Sequence, residues 1–228
     1  MTKELKKKSD IRFYSYTRDI TRMLEQLENI VKPKNRGAKP SFTVIEIIRL
    51  IRIVGKNGLI SRAKLAEELG VGEGTIRTIV THLKKMGIIK VIRSGISLER
   101  KGIELFHVLD KAIVFESFCD KKLLADLALG DYNYLLILRD KADKIKKGIE
   151  ERDIAIRFGT KALITLVYRS EGIEFPDGYP LGEEYKEFKS FLKKETTIEK
   201  GDVILLSCGD RRENTINGAY SVLYHLLK

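Results

Sequence analysis

Among 228 residues, 43 Lys or Arg stand against 32 Asp or Glu, a formal net charge of +11, and 43% of the chain is hydrophobic. That composition can bury a core and excludes a disordered or collagen-like chain. The charge is unevenly placed: residues 1–110 hold 23 basic and 12 acidic side chains and residues 111–228 hold 20 of each, so the whole excess lies in the first half and points to a polyanionic partner there.

The lysine-rich start, Met1 to Asp10, is followed by Arg12, Tyr14, Tyr16 and Arg18 in place of an apolar stretch, so no secretory signal is expected. From Thr17 to Val31 the residues Ile20, Met23, Leu24, Leu27, Ile30 and Val31 recur at steps of three and four. This predicts a helix with one apolar face, to be buried on its own domain or on a second copy of the chain. The segment 32–41, KPKNRGAKPS, reads as an extended basic linker within reach of phosphates. Ser41 or Thr43 can then cap a helix with Val44, Ile47, Ile48, Ile51 and Val54 inward, ending near Lys56, Asn57 and Gly58. Ser61 is placed to cap a shorter helix with Leu65, Ala66 and Leu69 inward, stopped by Gly70.

Only Val71, Gly72, Glu73 and Gly74 separate that helix from a third, in which Ile76, Ile79, Val80 and Leu83 hold a helical stripe. Two short helices around a glycine-containing turn are the signature of a helix-turn-helix. The outward face of the third helix is Thr75, Arg77, Thr78, Thr81, His82, Lys84 and Lys85. Hydroxyls and cations without an acid suit base edges and phosphates. After Gly87, Ile88–Arg93 and Ile96–Leu98 read as strands around a tight Ser94-Gly95 turn. A helix from Glu99 to Leu109, with Ile103, Leu105, Phe106 and Leu109 apolar, closes the module. Helix, helix, turn, helix, hairpin is the order of a winged helix.

Through SRAKLAEELGVGEGTIRTIVTHLKKMGII and then the wing SGISLERKG, residues 41–110 resemble the winged-helix domains of bacterial and archaeal transcription regulators. In the usual pattern the wing ends in Leu-Thr with a glycine three residues later; here Leu98 is followed by Glu99, a departure that touches a capping hydroxyl and not the fold. The whole chain also resembles archaeal winged-helix proteins that carry a further α/β domain at the C-terminus, which implies an architecture and supplies no ligand.

In the helix-turn-helix mode the third helix enters the major groove with its first turn nearest the bases. Thr75, Arg77, Thr78 and Thr81 are therefore the candidates for base readout, Arg77 through a bidentate pair with guanine O6 and N7. Lys84, Lys85, the wing's Arg93 and Arg62 at the start of the second helix are candidates for phosphate contact. The N–H groups of Gly72, Glu73 and Gly74 favour an anion, although the Glu73 carboxylate opposes a phosphate at short range.

In the second half, Ala112–Phe118 and Tyr132–Leu138 read as strands, Lys121–Leu129 as a short helix, and the polar stretch holding Ile145, Ile149, Ile154 and Ile156 as a longer one. The continuous apolar runs Ala162–Tyr168 and Val203–Leu206 have the form of strands buried on both faces, and both fall far short of the ~20 residues that span a membrane. Glu213–Leu227 places Ile216, Ala219, Tyr220, Leu223 and Leu227 on one helical face. The loop Gly209, Asp210, Arg211, Arg212 joins a buried strand to this helix, the junction where open α/β sheets bind ligands, and is a candidate anion or effector site. Cys119 and Cys208 are the two cysteines, without a CxxC or a histidine at ligand spacing, so reduced thiols are expected and no metal or cofactor is indicated.

The expectation is an α+β chain: residues 1–40 an N-terminal helix and basic linker, 41–110 a winged helix-turn-helix DNA-binding domain, 111–228 an α/β domain for effector binding or dimerisation. Its expected function is sequence-specific transcription regulation on double-stranded DNA, as a cytoplasmic homodimer responding to a small-molecule effector, with no catalytic residues and no membrane partner. Two alternatives stay open: an RNA-binding accessory protein using the same basic surface, and an enzyme with its site near Cys208 and Asp210.

Overall fold

The computed structural model of the chain describes residues 21–32 and 40–228. The Met1–Asp10 start, the first helical turn expected from Thr17 and the linker core at 33–39 lie outside the described residues. The chain divides into two compact units between Leu105 and Phe106, with Leu227–Lys228 counted with the first.

In the first unit, helix α1 (21–31) buries Leu24, Leu27 and Ile30. Helix α2 (Val44–Asn57) opens with a capping box, Thr43 Oγ1 accepting from Ile45 N at 3.2 Å and Glu46 Oε2 accepting from Thr43 N at 2.7 Å. Helix α3 (Arg62–Leu69) is capped by Ser61 and ends at left-handed Gly70; α4 (Glu73–Lys85) follows after Val71 and Gly72. Strands β1 (Ile89–Ile92) and β2 (Gly95–Leu98) form an antiparallel hairpin, and α5 (Arg100–Ala112) comes next.

Two details differ from the expectation. The register pairs Ile92 with Gly95, so the hairpin turn is Arg93-Ser94. Gly95 serves another end: a Cβ there would stand 2.7 Å from Ile60 O. Ile60 exchanges both backbone hydrogen bonds with Ile96, at 3.0 and 2.8 Å, and needs that close approach. In α5, Ile103 is exposed, because the buried side is set by Gly102, whose added Cβ would be 2.2 Å from Ile88 O, together with Leu105 and Leu109.

The second unit is built on β3 (Ile113–Phe118), β4 (Tyr132–Leu138), β5 (Ala162–Arg169), β6 (Gly172–Glu174) and β7 (Val203–Gly209), in the order β3-β4-β7-β5-β6. Every neighbouring pair is antiparallel. The apolar run of β7 is indeed buried along its whole length. One sheet face carries Leu135, Ile137, Leu166, Ile204 and Leu206 against Leu124 of α6 (Lys121–Leu124) and Phe188 and Leu192 of α8 (Lys186–Glu195). The other meets α9 (Arg212–Leu227), where Gly218 lets the helix approach Thr160 and Ser207. The long polar helix expected around Ile145–Ile156 is shorter: α7 is Ile149–Arg157, begun by Gly148 at φ 73, and Ile145 precedes it outside any helix.

Candidate nucleic-acid interface

The inward stripe of α4, Ile76, Ile79, Val80 and Leu83, is buried, and burying it turns the opposite side to solvent. Arg77, Thr78, Thr81, Lys84 and Lys85 are exposed on that side and Thr75 is partly buried. Thr78 Oγ1 donates to Gly74 O at 3.1 Å and Thr81 Oγ1 donates to Arg77 O at 2.8 Å. With their protons directed at the helix backbone, these hydroxyls present lone pairs and methyl groups outward, the chemistry that receives base amino groups and thymine methyls. Thr75 Oγ1 lies 3.1 Å from Ser41 Oγ, so part of its capacity is used inside the protein.

Among the described residues, the side chains of Arg62, Arg77, Lys84, Lys85 and Arg93 have no ion-pair partner, and all five are exposed. Arg93 stands in the hairpin turn and Arg62 on the first turn of α3. Lys64, one turn further along α3, is different: Glu67 at 3.1 Å and Glu68 at 3.5 Å neutralise it, and the hydrogen bond and charge of Glu67 hold its ammonium above the usual pKa. The first turn of α4 follows Gly72 with no side-chain cap, leaving the N–H groups of Glu73 and Gly74 available while Thr75 N donates to Gly72 O at 3.0 Å, and Glu73 is its one acidic residue. Sequence reading missed Lys90, exposed beside Ile92 on β1, although the alternation of Ile89–Ile92 already turned both outward. It also missed Lys101, whose Nζ donates to Met86 O at 3.3 Å just past the end of α4.

Residues 41–113 match the family described as the CggR N-terminal DNA binding domain. The chain therefore carries an N-terminal DNA-binding domain and a separate C-terminal domain. Residues 129–226 match the family described as a domain of unknown function, DUF4443. The central glycolytic genes regulator of Bacillus subtilis (strain 168) is 26% identical over 131 residues, a match that covers 55% of this chain and 37% of that protein. The solved structure of hypothetical protein PH0730 from Pyrococcus horikoshii OT3 is similar with a TM-score of 0.64 and 27% identity, over 82% of this chain and 93% of that one.

The loop Gly209, Asp210, Arg211, Arg212 is built as a packed strand-to-helix turn. An added Cβ on Gly130 would stand 2.4 Å from Gly209 N, so these glycines let two backbones touch. Asp210 lies 3.7 Å from Lys161 Nζ, Arg211 O accepts from Thr215 Oγ1 at 2.7 Å, and the Arg212 guanidinium sits 5.1 Å from the Phe118 ring centroid. Because the sheet is antiparallel, the rule that places ligands at strand ends of open parallel sheets has no purchase on this loop. Cys208 is fully buried, its Sγ contacts Leu127 O at 3.5 Å, and burial pushes its thiol pKa up, the reverse of what a nucleophile needs. Burial pushes Cys119 up to about 11. Among the described residues, no group of three His, Cys, Asp or Glu side chains is arranged to hold a metal ion, and no helix is long and apolar enough to cross a membrane.

Proposed function

We propose that the chain is a sequence-specific transcription regulator that lays α4 in the major groove of duplex DNA. The observation that carries this reading is the solvent face of α4, where exposed Arg77, Thr78, Thr81, Lys84 and Lys85 follow one another with no acid after Glu73. Arg77 reads a guanine in bidentate fashion, Thr78 and Thr81 contact neighbouring base edges, Thr75, tied to Ser41, sets the placement of α4, and Lys84, Lys85, Arg62 and the wing's Arg93 hold phosphates. Residues 41–110 form the reading head, and 111–228 serve effector binding or self-association. A homodimer reading two half-sites about one helical turn apart gives the affinity a single module lacks.

The test is selection from fragmented genomic DNA by the purified full chain at two salt concentrations, followed by sequencing of the retained fragments. A short two-fold symmetric motif that survives the higher salt supports the reading. Retention without enrichment, lost steeply as salt rises, reports phosphate attraction alone and overturns sequence specificity. Preferential capture of structured RNA in competition would move the same surface to an RNA role.

A further inference from the structure

We infer that the second unit binds a small organic anion with an apolar body, in the cleft between the N-terminus of α7, strand β5 and the turn that follows β6. The cleft is open to solvent, has a volume of about 450 Å³ and is lined by residues of these three segments alone. Its volume falls within the ~300–1,000 Å³ of small-molecule sites.

Independent features converge there. Thr165 is 5% exposed, lines the cleft, and its Oγ1 has no hydrogen-bond partner among the described residues. A buried hydroxyl in that state is completed by a ligand that supplies the partner. Beside it, α7 begins at Gly148 with no side-chain cap, so its first N–H groups lack intrahelical acceptors and carry the positive end of the helix dipole. Gly148 keeps the two together: a Cβ there would stand 3.4 Å from Thr165 Cβ and 3.7 Å from its Oγ1. Lys147 adds a cation to the same wall, where Arg152 also stands with its guanidinium paired to Asp153 at 3.1 Å.

The rest of the lining fixes the body and charge of the ligand. Leu163, Phe175, Pro176 and the exposed Tyr179 form the apolar wall. Asp177, whose Oδ1 accepts from Tyr179 N at 3.3 Å, also lines the cleft and disfavours a second anionic group. Glu150 and Glu151 of the first helical turn line an adjoining cavity instead, Glu150 Oε1 at 3.4 Å from His225 Nε2. The ligand therefore has one anionic head, a carboxylate or a phosphate, held by the start of α7, Lys147 and Thr165, and an apolar or ring-shaped remainder.

The site is tested by NMR titration of the ¹⁵N-labelled full chain with phenyl phosphate and with benzoate, using phenol and inorganic phosphate as controls that lack the head or the body. The readout does not involve DNA, so it stands or falls apart from the proposed regulator function. Saturable shifts of the Gly148–Glu151 and Thr165 amides with phenyl phosphate or benzoate, and weaker ones with either control, are expected; whichever of the two binds tighter identifies the head group. Thr165→Val, which keeps the shape and removes the hydroxyl, and Lys147→Glu should each weaken binding about tenfold while the remaining spectrum stays folded. Shifts confined to α4, no saturable shift at these amides, or unchanged affinity in both variants would overturn the site.

Discussion

Ser41 Oγ and Thr75 Oγ1 lie 3.1 Å apart, so a hydroxyl on the first turn of α4 is shared with the segment leading into α2. Two residues further along, the Arg77 guanidinium has no such tie among the described residues. The two positions should therefore answer differently to substitution. Arg77→Ala is expected to weaken binding to the selected sequence by about 1–3 kcal/mol and to flatten the preference at one base pair. Thr75→Val is expected to change selected and unrelated duplexes alike, through the placement of α4. Titration against the selected duplex and a set of single-base variants distinguishes these; an unchanged preference in Arg77→Ala would remove α4 as the reading helix.

Lys84 and Lys85 stand on the last turn of α4, past the residues nearest the bases, and they carry charge without shape. Lys84→Ala should weaken binding to every sequence by a similar factor and reduce the slope of log K against log salt by about 1, the signature of one lost phosphate contact. Affinities at four salt concentrations on one specific and one scrambled duplex check this. A sequence-dependent loss with an unchanged slope would mean that Lys84 reads a base.

Glycines in the first unit divide by what surrounds them. Nothing stands within 4 Å of a Cβ added at Gly74, on the exposed first turn of α4, whereas one at Gly102 would meet Ile88 O at 2.2 Å. Gly74→Ala should therefore stabilise the protein by about 0.5–1 kcal/mol through helix propensity. Gly102→Ala should destabilise it by about 1–3 kcal/mol, because α5 must move off the chain beside β1. Urea unfolding of both variants measures the two signs; equal effects would show that the α5 contact does not constrain the fold.

Much of the first unit was legible because its elements are short and punctuated. Ser61, Gly70 and Gly87 mark helix ends, and the stripe Ile76, Ile79, Val80 and Leu83 fixes which side of α4 is left for a ligand. The pairing of Ile60 with Ile96 was not legible, since it joins residues far apart in sequence and its one local trace is the glycine at 95. In the second unit four of the five strands were visible, the three-residue β6 being too short to leave a pattern, but their direction was not: an apolar run buried on both faces looks the same in a parallel and an antiparallel sheet. Helix α7, shorter than its apolar residues suggest, is obscured for a different reason. There the inward residue at the third helical position is Glu151, 2% exposed, while Ile149 and Ile156 face outward, which inverts the pattern that sequence periodicity relies on.

The thiols give a last prediction, bearing on whether the second unit holds a cysteine nucleophile. Alkylation proceeds through the thiolate, and a group whose folded pKa is raised stays protonated until the pH approaches that value. For Cys119, raised to about 11 by burial, the thiolate fraction at pH 8 is about one part in a thousand, and labelling should accelerate about tenfold per pH unit up to that point. Cys208 is raised by burial as well, and its side chain is closed off from solvent. Iodoacetamide at pH 8 should accordingly leave Cys208 unmodified in the folded chain and modify Cys119 slowly. In urea both thiols return to about 8.5 and should react within the same interval. Mass spectrometry after a fixed labelling time reads both states. Rapid modification of native Cys208 at neutral pH would restore an enzyme centred on that residue as the reading to pursue.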